Sequence, residues 1–358
     1  MHRSITRRSW IAGAASLSAQ TDSAAIRLPK KLRVALIGVD GHITEITSPL
    51  KVLPDVELVA VAEPDPRAMR KVARGAAISK AKHYTDYRQM LDREKPDVVS
   101  ICGPNGDRAE AILACAERRL HVAAEKPLTT ERADFEQVRR AVKESGIKLT
   151  MLLPMRFYPI YAAIKQIVDS GEIGEVAQMG AQKSYQVAER PPWMRRHASF
   201  GGTIPYIGIH MVDLMRFVSG RELTEAASFQ GHIGYPELGD MENTTSTIFR
   251  LDNGGTAALR MDYLRPEAAG SHGDDRIRVA GTKGVVEHMA ATGLTLITNT
   301  SKPRTITQLP PHKSLFVDFL DHVYNGKPVG LTLNDIYRAN EIVFAARESA
   351  EKRQIVKT

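Results

Sequence analysis

Short apolar runs alternate with segments of helical periodicity along the first half of the chain. One helical segment begins after Asp107, which can cap it, and another repeats apolar residues on one face up to Gly146. The apolar runs are short enough to be buried strands and occupy residues 32–38, 56–62, 98–102, 121–124 and 147–153. Strands that alternate with helices predict a parallel sheet covered on both faces, with ligands bound at the carboxyl ends of its strands.

The second half of the chain has a different order of elements. A helical segment ends at Ser170 and Gly171, and two more apolar helical segments lie near the C-terminus. Between them, strand-like segments occupy residues 176–187, 244–251, 256–263 and 277–280. This pattern predicts an α+β unit. We therefore expect an α/β domain at 30–153 and an α+β domain at 154–358.

Composition excludes several classes of protein. The chain has 358 residues, 43% of them hydrophobic and 25% charged, as in ordinary globular domains. No segment reaches the ~18 uninterrupted apolar residues of a membrane span. The net charge of +8 is scattered among acidic residues and forms no basic strip interleaved with aromatic residues. We expect neither an integral membrane span nor nucleic-acid binding.

Residues 1–25 have the pattern of an export signal. Arg7 and Arg8 form a twin-arginine pair, an apolar run follows at 11–19, and small residues continue to Ala25. The alternative is a frayed basic tail, but the order of the three features favours a signal. We expect export in folded form to the periplasm or cell envelope. Without a functional signal, the protein would remain in the cytoplasm.

The turn after the first strand resembles a dinucleotide-binding turn only in part. In the pattern G-x-G-x-x-G, the second glycine lets the backbone approach a pyrophosphate. Here Asp40 follows Gly38 at that position, and Gly41 comes next. A carboxylate is repelled by a pyrophosphate unless it turns away or gains a cationic neighbour such as His42. The alternative interpretation is a tight turn that simply needs glycine.

An acidic residue follows the second strand. Glu63 is placed where an acid would bind the ribose hydroxyls of a dinucleotide. This favours NAD over NADP, since a carboxylate repels a 2′-phosphate. Asp65 could take this role instead, or either acid could cap the next helix.

Four motifs in order resemble those of the glucose–fructose oxidoreductase, inositol dehydrogenase and rhizopine catabolism (Gfo/Idh/MocA) family. They are Cys-Gly-Pro-Asn at 102–105, Glu-Lys-Pro at 125–127, Gly-Gly at 201–202, and Gly-Ile-His-Met-Val-Asp at 208–213. The resemblance implies a Rossmann domain, a C-terminal domain with a mostly antiparallel open sheet, and a homo-oligomer (dimer or tetramer). It also implies a sugar or polyol substrate and a tightly held nicotinamide cofactor. The implied cofactor contacts are Pro104, Asn105, Glu125, Lys126 and Pro127.

Two residues of these motifs are candidates for catalysis. The resemblance implies that Lys126 contacts both the nicotinamide ribose and a substrate hydroxyl, where an ammonium would stabilise alkoxide-like charge. His210 is the candidate general base, worth typically ~10²–10⁴ in rate. Asp213, three positions later on a predicted helix, could orient its ring. A structural histidine and a His/Asp metal site are the alternatives, but we see no third ligand and expect no metal.

One residue departs from the family pattern. Family members carry Asp four residues before the histidine, where this chain has Tyr206. Tyr206 could relay a proton, donate a hydrogen bond to the substrate or fill space. Because the usual aspartate is absent, ordinary dehydrogenase turnover is not assured.

Residues 190–197 form a basic, proline-containing loop around Trp193. Because sugars stack on indole and arginines bind carboxylates, the loop could be a lid over a sugar or sugar-acid site. The alternative is a connecting loop with Trp193 in the core. Arg156, after the fifth strand, is another candidate substrate contact.

The main hypothesis is an NAD(P)-dependent oxidoreductase acting on a hydroxyl group of a carbohydrate or polyol. One alternative is redox-neutral glycoside cleavage, in which transient oxidation acidifies a neighbouring C–H bond. The other is a non-catalytic protein that binds a sugar or an envelope partner.

Overall fold

The computed structural model describes residues 26–358. The expected signal at 1–25, with its twin-arginine pair, lies outside the described residues. Among residues 26–358, no helix combines the length and the apolar character needed to cross a bilayer.

The N-terminal part is a six-stranded parallel sheet with strand order β3-β2-β1-β4-β5-β6. This is the doubly wound order of a Rossmann domain. The strands are β1 (Leu32–Ile37), β2 (Val56–Ala62), β3 (Lys82–Tyr84), β4 (Val98–Ile101), β5 (His121–Ala124) and β6 (Leu149–Met151). The helices are α1 (Ile43–Thr47), α2 (Pro66–Val72), α3 (Tyr87–Glu94), α4 (Arg108–Glu117) and α5 (Arg132–Ser145).

The C-terminal part is a nine-stranded sheet with strand order β14-β13-β12-β11-β7-β10-β9-β8-β15. All its neighbouring strands pair antiparallel except β7 and β10. The strands are β7 (Val176–Tyr185), β8 (Leu223–Gly231), β9 (Thr244–Leu251), β10 (Thr256–Asp262), β11 (Gly273–Gly281), β12 (Gly284–Met289), β13 (Gly293–Thr298), β14 (Ser301–Thr305) and β15 (Val356–Lys357). The helices are α6 (Pro159–Asp169), α7 (His197–Phe200), α8 (Ile209–Ser219), α9 (Leu315–Asn325) and α10 (Leu333–Lys352).

The predicted fold class, a Rossmann domain followed by a domain with a mostly antiparallel sheet, is confirmed. Its core is formed by apolar strands and by the inner helix faces. The predicted cap of α4 is wrong in one respect. Asp107 precedes the helix, but its side chain makes no capping hydrogen bond, because its backbone is already in the helical region (φ −91°, ψ −8°).

Helix α10 fixes the segment that follows β5. Asn340 accepts a hydrogen bond from the backbone N–H of Leu128 at 3.0 Å. Farther along the helix, Arg347 donates to the carbonyl oxygens of Thr130 at 2.7 Å and Gly201 at 3.0 Å. The end of the Rossmann sheet is therefore bonded to the segment that leads into α8.

Candidate active site

The loops after β1 and β4 meet at the carboxyl edge of the Rossmann sheet. Gly38 has a φ of +79°, and a Cβ atom there would overlap the backbone of Gly103. Its N–H donates to the carbonyl of Ala62 at 2.8 Å, at the end of β2. Only glycine permits both the left-handed conformation and this close approach.

Glu125 connects the end of β5 to the turn after β1. Its carboxylate lies 2.6 Å from Nδ1 of His42 and accepts hydrogen bonds from the backbone N–H groups of His42 and Lys126. Burial alone would raise the pKa of Glu125, but the adjacent His42, Lys126 and Arg108 lower it to about 2. Glu125 is therefore an anion that holds the turn in place.

The carboxylate of Asp40 points to the basic loop of the C-terminal part. Its Oδ2 lies 3.3 Å from Nε1 of Trp193, which donates the hydrogen bond. Burial raises the pKa of Asp40. Trp193 is half-buried against the core and lies edge-on to Tyr206, with ring centroids 6.1 Å apart. Trp193 therefore packs against the core, as expected for a connecting loop, and also contacts the turn after β1, as expected for a lid.

The two acids after β2 have different environments. Asp65 caps α2 by accepting a hydrogen bond from the N–H of Arg67 at 2.8 Å. Glu63 accepts from the N–H of Asp65 at 2.9 Å, and burial raises its pKa. Asp65 therefore acts as the helix cap, and Glu63 lies closer to the turn after β1.

Lys126 is buried against Tyr206. Its Nζ donates to the carbonyl oxygen of Tyr206 at 2.8 Å and lies 3.5 Å from the centroid of the Tyr206 ring. Burial lowers the pKa of Lys126 to about 7, with Arg108, Lys183 and Arg190 acting in the same direction. The peptide bond between Lys126 and Pro127 is cis.

His210 lies at the start of α8 beside the turn after β1. Its ring meets that of His42 edge-on, with centroids 5.2 Å apart. Burial, together with the nearby positive charges of Lys126 and Lys183, lowers its pKa well below the usual 6.5. Its buried Nδ1 has no hydrogen-bond partner among the described residues. At neutral pH the ring is therefore uncharged and can accept a proton.

Asp213 does not orient His210 in this structure. Both oxygens of its carboxylate accept hydrogen bonds from the guanidinium of Arg156, and both side chains are buried. Arg156 also donates to the carbonyl of Gly330 at 2.9 Å and to Asp335 at 3.2 Å. The predicted roles differ from this placement because a buried carboxylate is best satisfied by a bidentate guanidinium. That pairing also occupies Arg156, the expected substrate contact.

The Cys-Gly-Pro-Asn and Glu-Lys-Pro motifs are tied together by an arginine that the sequence analysis missed. Arg108, at the start of α4, donates to the carbonyl oxygens of Pro127 and Gly103 and to the side chain of Asn105. Asn105 in turn donates to the carbonyl of Phe200 at 2.8 Å. Asn105 and Pro127 are buried and Pro104 is half-buried. No local pattern distinguishes Arg108 from an exposed helical arginine.

A second missed group lies on the C-terminal sheet. Lys183 of β7 is buried and donates to Asp275 of β11 at 2.6 Å. Its only signal in the sequence was a charged residue within a strand-like segment. Within the described part of the chain, no three His, Cys, Asp or Glu side chains form a group that could hold a metal ion.

Comparison with known proteins identifies the family. Residues 32–152 match the model "Oxidoreductase family, NAD-binding Rossmann fold", and residues 161–287 match "GFO/IDH/MocA C-terminal domain". A solved structure of an oxidoreductase from Thermotoga maritima superposes with a TM-score of 0.86 at 29% identity, covering 91% of this chain and all of that chain.

Two curated relatives act on polyols or sugars, according to their names. Myo-inositol 2-dehydrogenase of Thermotoga maritima is 24% identical over 341 residues, which cover 91% of this chain and 98% of that protein. D-glucoside 3-dehydrogenase of Escherichia coli is 32% identical over 255 residues, covering 65% and 70%. A match to an oxidoreductase of Bacillus subtilis spans only 57% of that protein. The chain belongs to the GFO/IDH/MocA oxidoreductase family, and its N-terminal part is an NAD-binding Rossmann domain.

Proposed function

We propose that the protein transfers hydride between a hydroxyl-bearing carbon of a sugar or polyol and a tightly bound nicotinamide cofactor. One observation carries the proposal: an uncharged, buried His210 and a buried Lys126 adjoin the edge of the Rossmann sheet. Residues 30–153 would form the cofactor domain, and 154–358 the substrate and oligomerisation domain.

The residues at this edge fit a dinucleotide. The close approach of Gly38 to Gly103 leaves no side chain between the two loops. The carboxylate of Asp40 is bonded to Trp193, which removes the main objection to the unusual turn. Glu63 is the candidate partner of the ribose hydroxyls, and its charge favours NAD over NADP.

The proposed mechanism divides proton transfer and charge stabilisation between two residues. When bound, the nicotinamide ring supplies the hydride acceptor. His210 takes the proton of the substrate hydroxyl, because its lowered pKa keeps the ring unprotonated. Lys126, when protonated, stabilises the negative charge that develops on the substrate oxygen. Tyr206 holds this ammonium by its ring and its carbonyl oxygen.

The first experiment measures the nucleotide content of the protein. Protein purified without added nucleotide is denatured, and the released NAD(H) and NADP(H) are quantified by chromatography. Near-stoichiometric NAD(H) is expected. The native protein is then mixed with methyl β-D-glucoside or myo-inositol, and the absorbance of bound NADH is followed.

Two variants test the catalytic assignments. His210→Ala and Lys126→Met are each expected to lower the rate of cofactor reduction by roughly 10²–10⁴-fold. His210→Ala should retain bound nucleotide, and for Lys126→Met, an implied cofactor contact, circular dichroism and added NAD show that the fold is intact and the cofactor present. Unchanged rates in both variants would contradict the assignments.

A second candidate is redox-neutral glycoside cleavage. It is favoured by Lys126, whose pKa of about 7 lets it exchange a proton near neutral pH, beside the unprotonated His210. Oxidation of a ring carbon acidifies the neighbouring C–H bond, and a second base could then start an elimination. Release of the aglycone from a nitrophenyl glucoside without net change in bound NADH would identify this activity.

Export by the twin-arginine route remains part of the proposal. Fractionation of cells that express the full chain and a variant with Arg7 and Arg8 replaced by Lys tests it. The intact chain should be found in the periplasm, and the variant in the cytoplasm.

A further inference from the structure

Three cationic side chains surround the candidate active site, and each lies beside a tyrosine ring. The ring centroids of two of these tyrosines, Tyr185 and Tyr263, are 6.1 Å apart, and the two residues lie at the paired ends of β7 and β10 in the C-terminal sheet. The distances from the cationic group to the ring centroid are 3.5 Å for Lys126 and Tyr206, 5.2 Å for Lys183 and Tyr185, and 4.5 Å for Arg190 and Tyr263.

Carboxylates of the protein balance only part of this positive charge. Lys183 is paired with Asp275 at 2.6 Å. Lys126 and Arg190 form no direct ion pair with any described residue, although Glu125 acts on Lys126 through its charge. One Nη of Arg190 donates to the carbonyl of Gln186 at 2.7 Å. An anionic ligand would give the half-buried guanidinium of Arg190 a counter-ion.

Polar atoms without hydrogen-bond partners lie in the same region of the C-terminal sheet. Nε of Arg190, the hydroxyl of Tyr263 and Oδ1 of Asp275 are buried and have no hydrogen-bond partner among the described residues. Nδ1 of His210 shares this property. Because buried polar atoms are nearly always bonded, donors and acceptors gathered beside the catalytic candidates indicate a polar ligand.

We propose that the substrate is a carboxylate-bearing sugar whose carboxylate is bound by Arg190 and one of whose hydroxyl groups donates to Asp275. The inference rests on the proposed function and names the substrate class of that site. A planar guanidinium matches a carboxylate with two parallel hydrogen bonds, and the pair would neutralise the unbalanced charge. Asp275, whose other oxygen is bonded to Lys183, can still accept a hydrogen bond through Oδ1.

The test compares matched neutral and anionic sugars on the protein with its cofactor bound. The pairs are D-glucose with D-glucuronate, D-galactose with D-galacturonate, and methyl β-D-glucoside with methyl β-D-glucuronide. Initial rates of bound NADH formation give kcat/KM for each sugar. In at least one pair, we expect the uronate to have a kcat/KM higher by roughly tenfold or more.

Three variants show whether the preference depends on Arg190. Arg190→Gln should remove the advantage of the uronate, mainly through KM, and lower kcat/KM for the uronate much more than for its neutral partner. Arg190→Lys keeps the charge and should restore part of the advantage. Arg196→Gln is the control, because Arg196 is an exposed arginine in the same basic loop. It should behave like the unsubstituted protein.

The outcomes separate this inference from the proposed function. If the neutral sugar is preferred in every pair, or if Arg190→Gln slows both members equally, the inference is wrong and the oxidoreductase function stands. If no sugar is oxidised, titration calorimetry with the same sugars shows whether the uronates bind and whether their binding depends on Arg190. Uronate binding that Arg190→Gln abolishes supports the inference while the function fails, and absence of uronate binding overturns the inference.

Discussion

The ammonium group of Lys126 lies over the ring of Tyr206, 3.5 Å from its centroid, and donates to the carbonyl oxygen of the same residue. Relatives with the motif D-x-G-x-H would have a carboxylate at this position. A tyrosine ring attracts a cation much less strongly than a carboxylate does. Burial therefore dominates, and the pKa of Lys126 falls to about 7.

This relationship predicts an unusual pH profile. If Lys126 acts as an ammonium, activity should decline as pH rises through about 7, since the protonated form is lost above its pKa. His210, with a pKa well below 6.5, should limit activity only at distinctly acidic pH. The profile of kcat/KM against pH should therefore be bell-shaped, with its basic limb near neutrality.

Substitution of Tyr206 tests the cause of that basic limb. Tyr206→Asp introduces a carboxylate beside Lys126, which raises the lysine pKa and should move the limb to higher pH. Tyr206→Phe keeps the ring and the backbone carbonyl, and should leave the limb unchanged. A limb that moves equally in both variants would show that the hydroxyl group of Tyr206, rather than the ring, controls the titration.

The contact between Gly41 and Glu125 predicts a selective loss of cofactor. Gly41 has a φ of +65°, and a Cβ atom there would overlap the carboxylate of Glu125. Gly41→Ala should therefore displace Glu125 from His42 and lower the bound nucleotide by roughly tenfold or more. The measurement is the nucleotide released per protein chain.

Gly146→Ala is the matched control for this substitution. Gly146 has a similar φ of +70°, but nothing lies within 4 Å of a Cβ atom there. It should cost about 1 kcal/mol in stability from backbone strain and retain the nucleotide. Equal nucleotide loss in both variants would mean that strain, and not the Glu125 contact, is responsible.

Glu63 is predicted to decide between NAD and NADP. Glu63→Ala removes the charge that would repel a 2′-phosphate, so the ratio of bound NADP to bound NAD should rise by roughly tenfold. Asp65→Ala is the control. It removes the cap of α2 at a cost of about 1 kcal/mol and should leave the cofactor ratio unchanged. If Asp65→Ala changes the ratio of bound NADP to bound NAD and Glu63→Ala does not, Asp65 rather than Glu63 lies beside the ribose.

Local sequence patterns predicted the main strands and helices because burial imposes a period on each segment. They missed β3, a three-residue edge strand of Lys, His and Tyr without an apolar run. They also missed β8, β12, β13, β14 and the two-residue β15, in which buried and exposed residues do not alternate clearly.

At the site, the residues that follow strands were predictable because parallel strands end at one edge of the sheet. The contacts between distant residues were not. Trp193 and Asp40 are 153 positions apart, and Lys183 and Asp275 are 92 apart. Such pairs leave no local pattern, since only tertiary packing brings them together.

The placement of Asp213 leads to a prediction that separates a structural role from a catalytic one. Asp213→Ala leaves the guanidinium of Arg156 buried with part of its charge unpaired, which should cost about 3–5 kcal/mol. Lys165→Met breaks an exposed ion pair with Asp169 and should cost about 0–1 kcal/mol. Urea unfolding of both variants, monitored by circular dichroism, measures these free energies. If Asp213 instead orients His210, Asp213→Ala will unfold at nearly the same urea concentration as the unsubstituted protein, and kcat will fall.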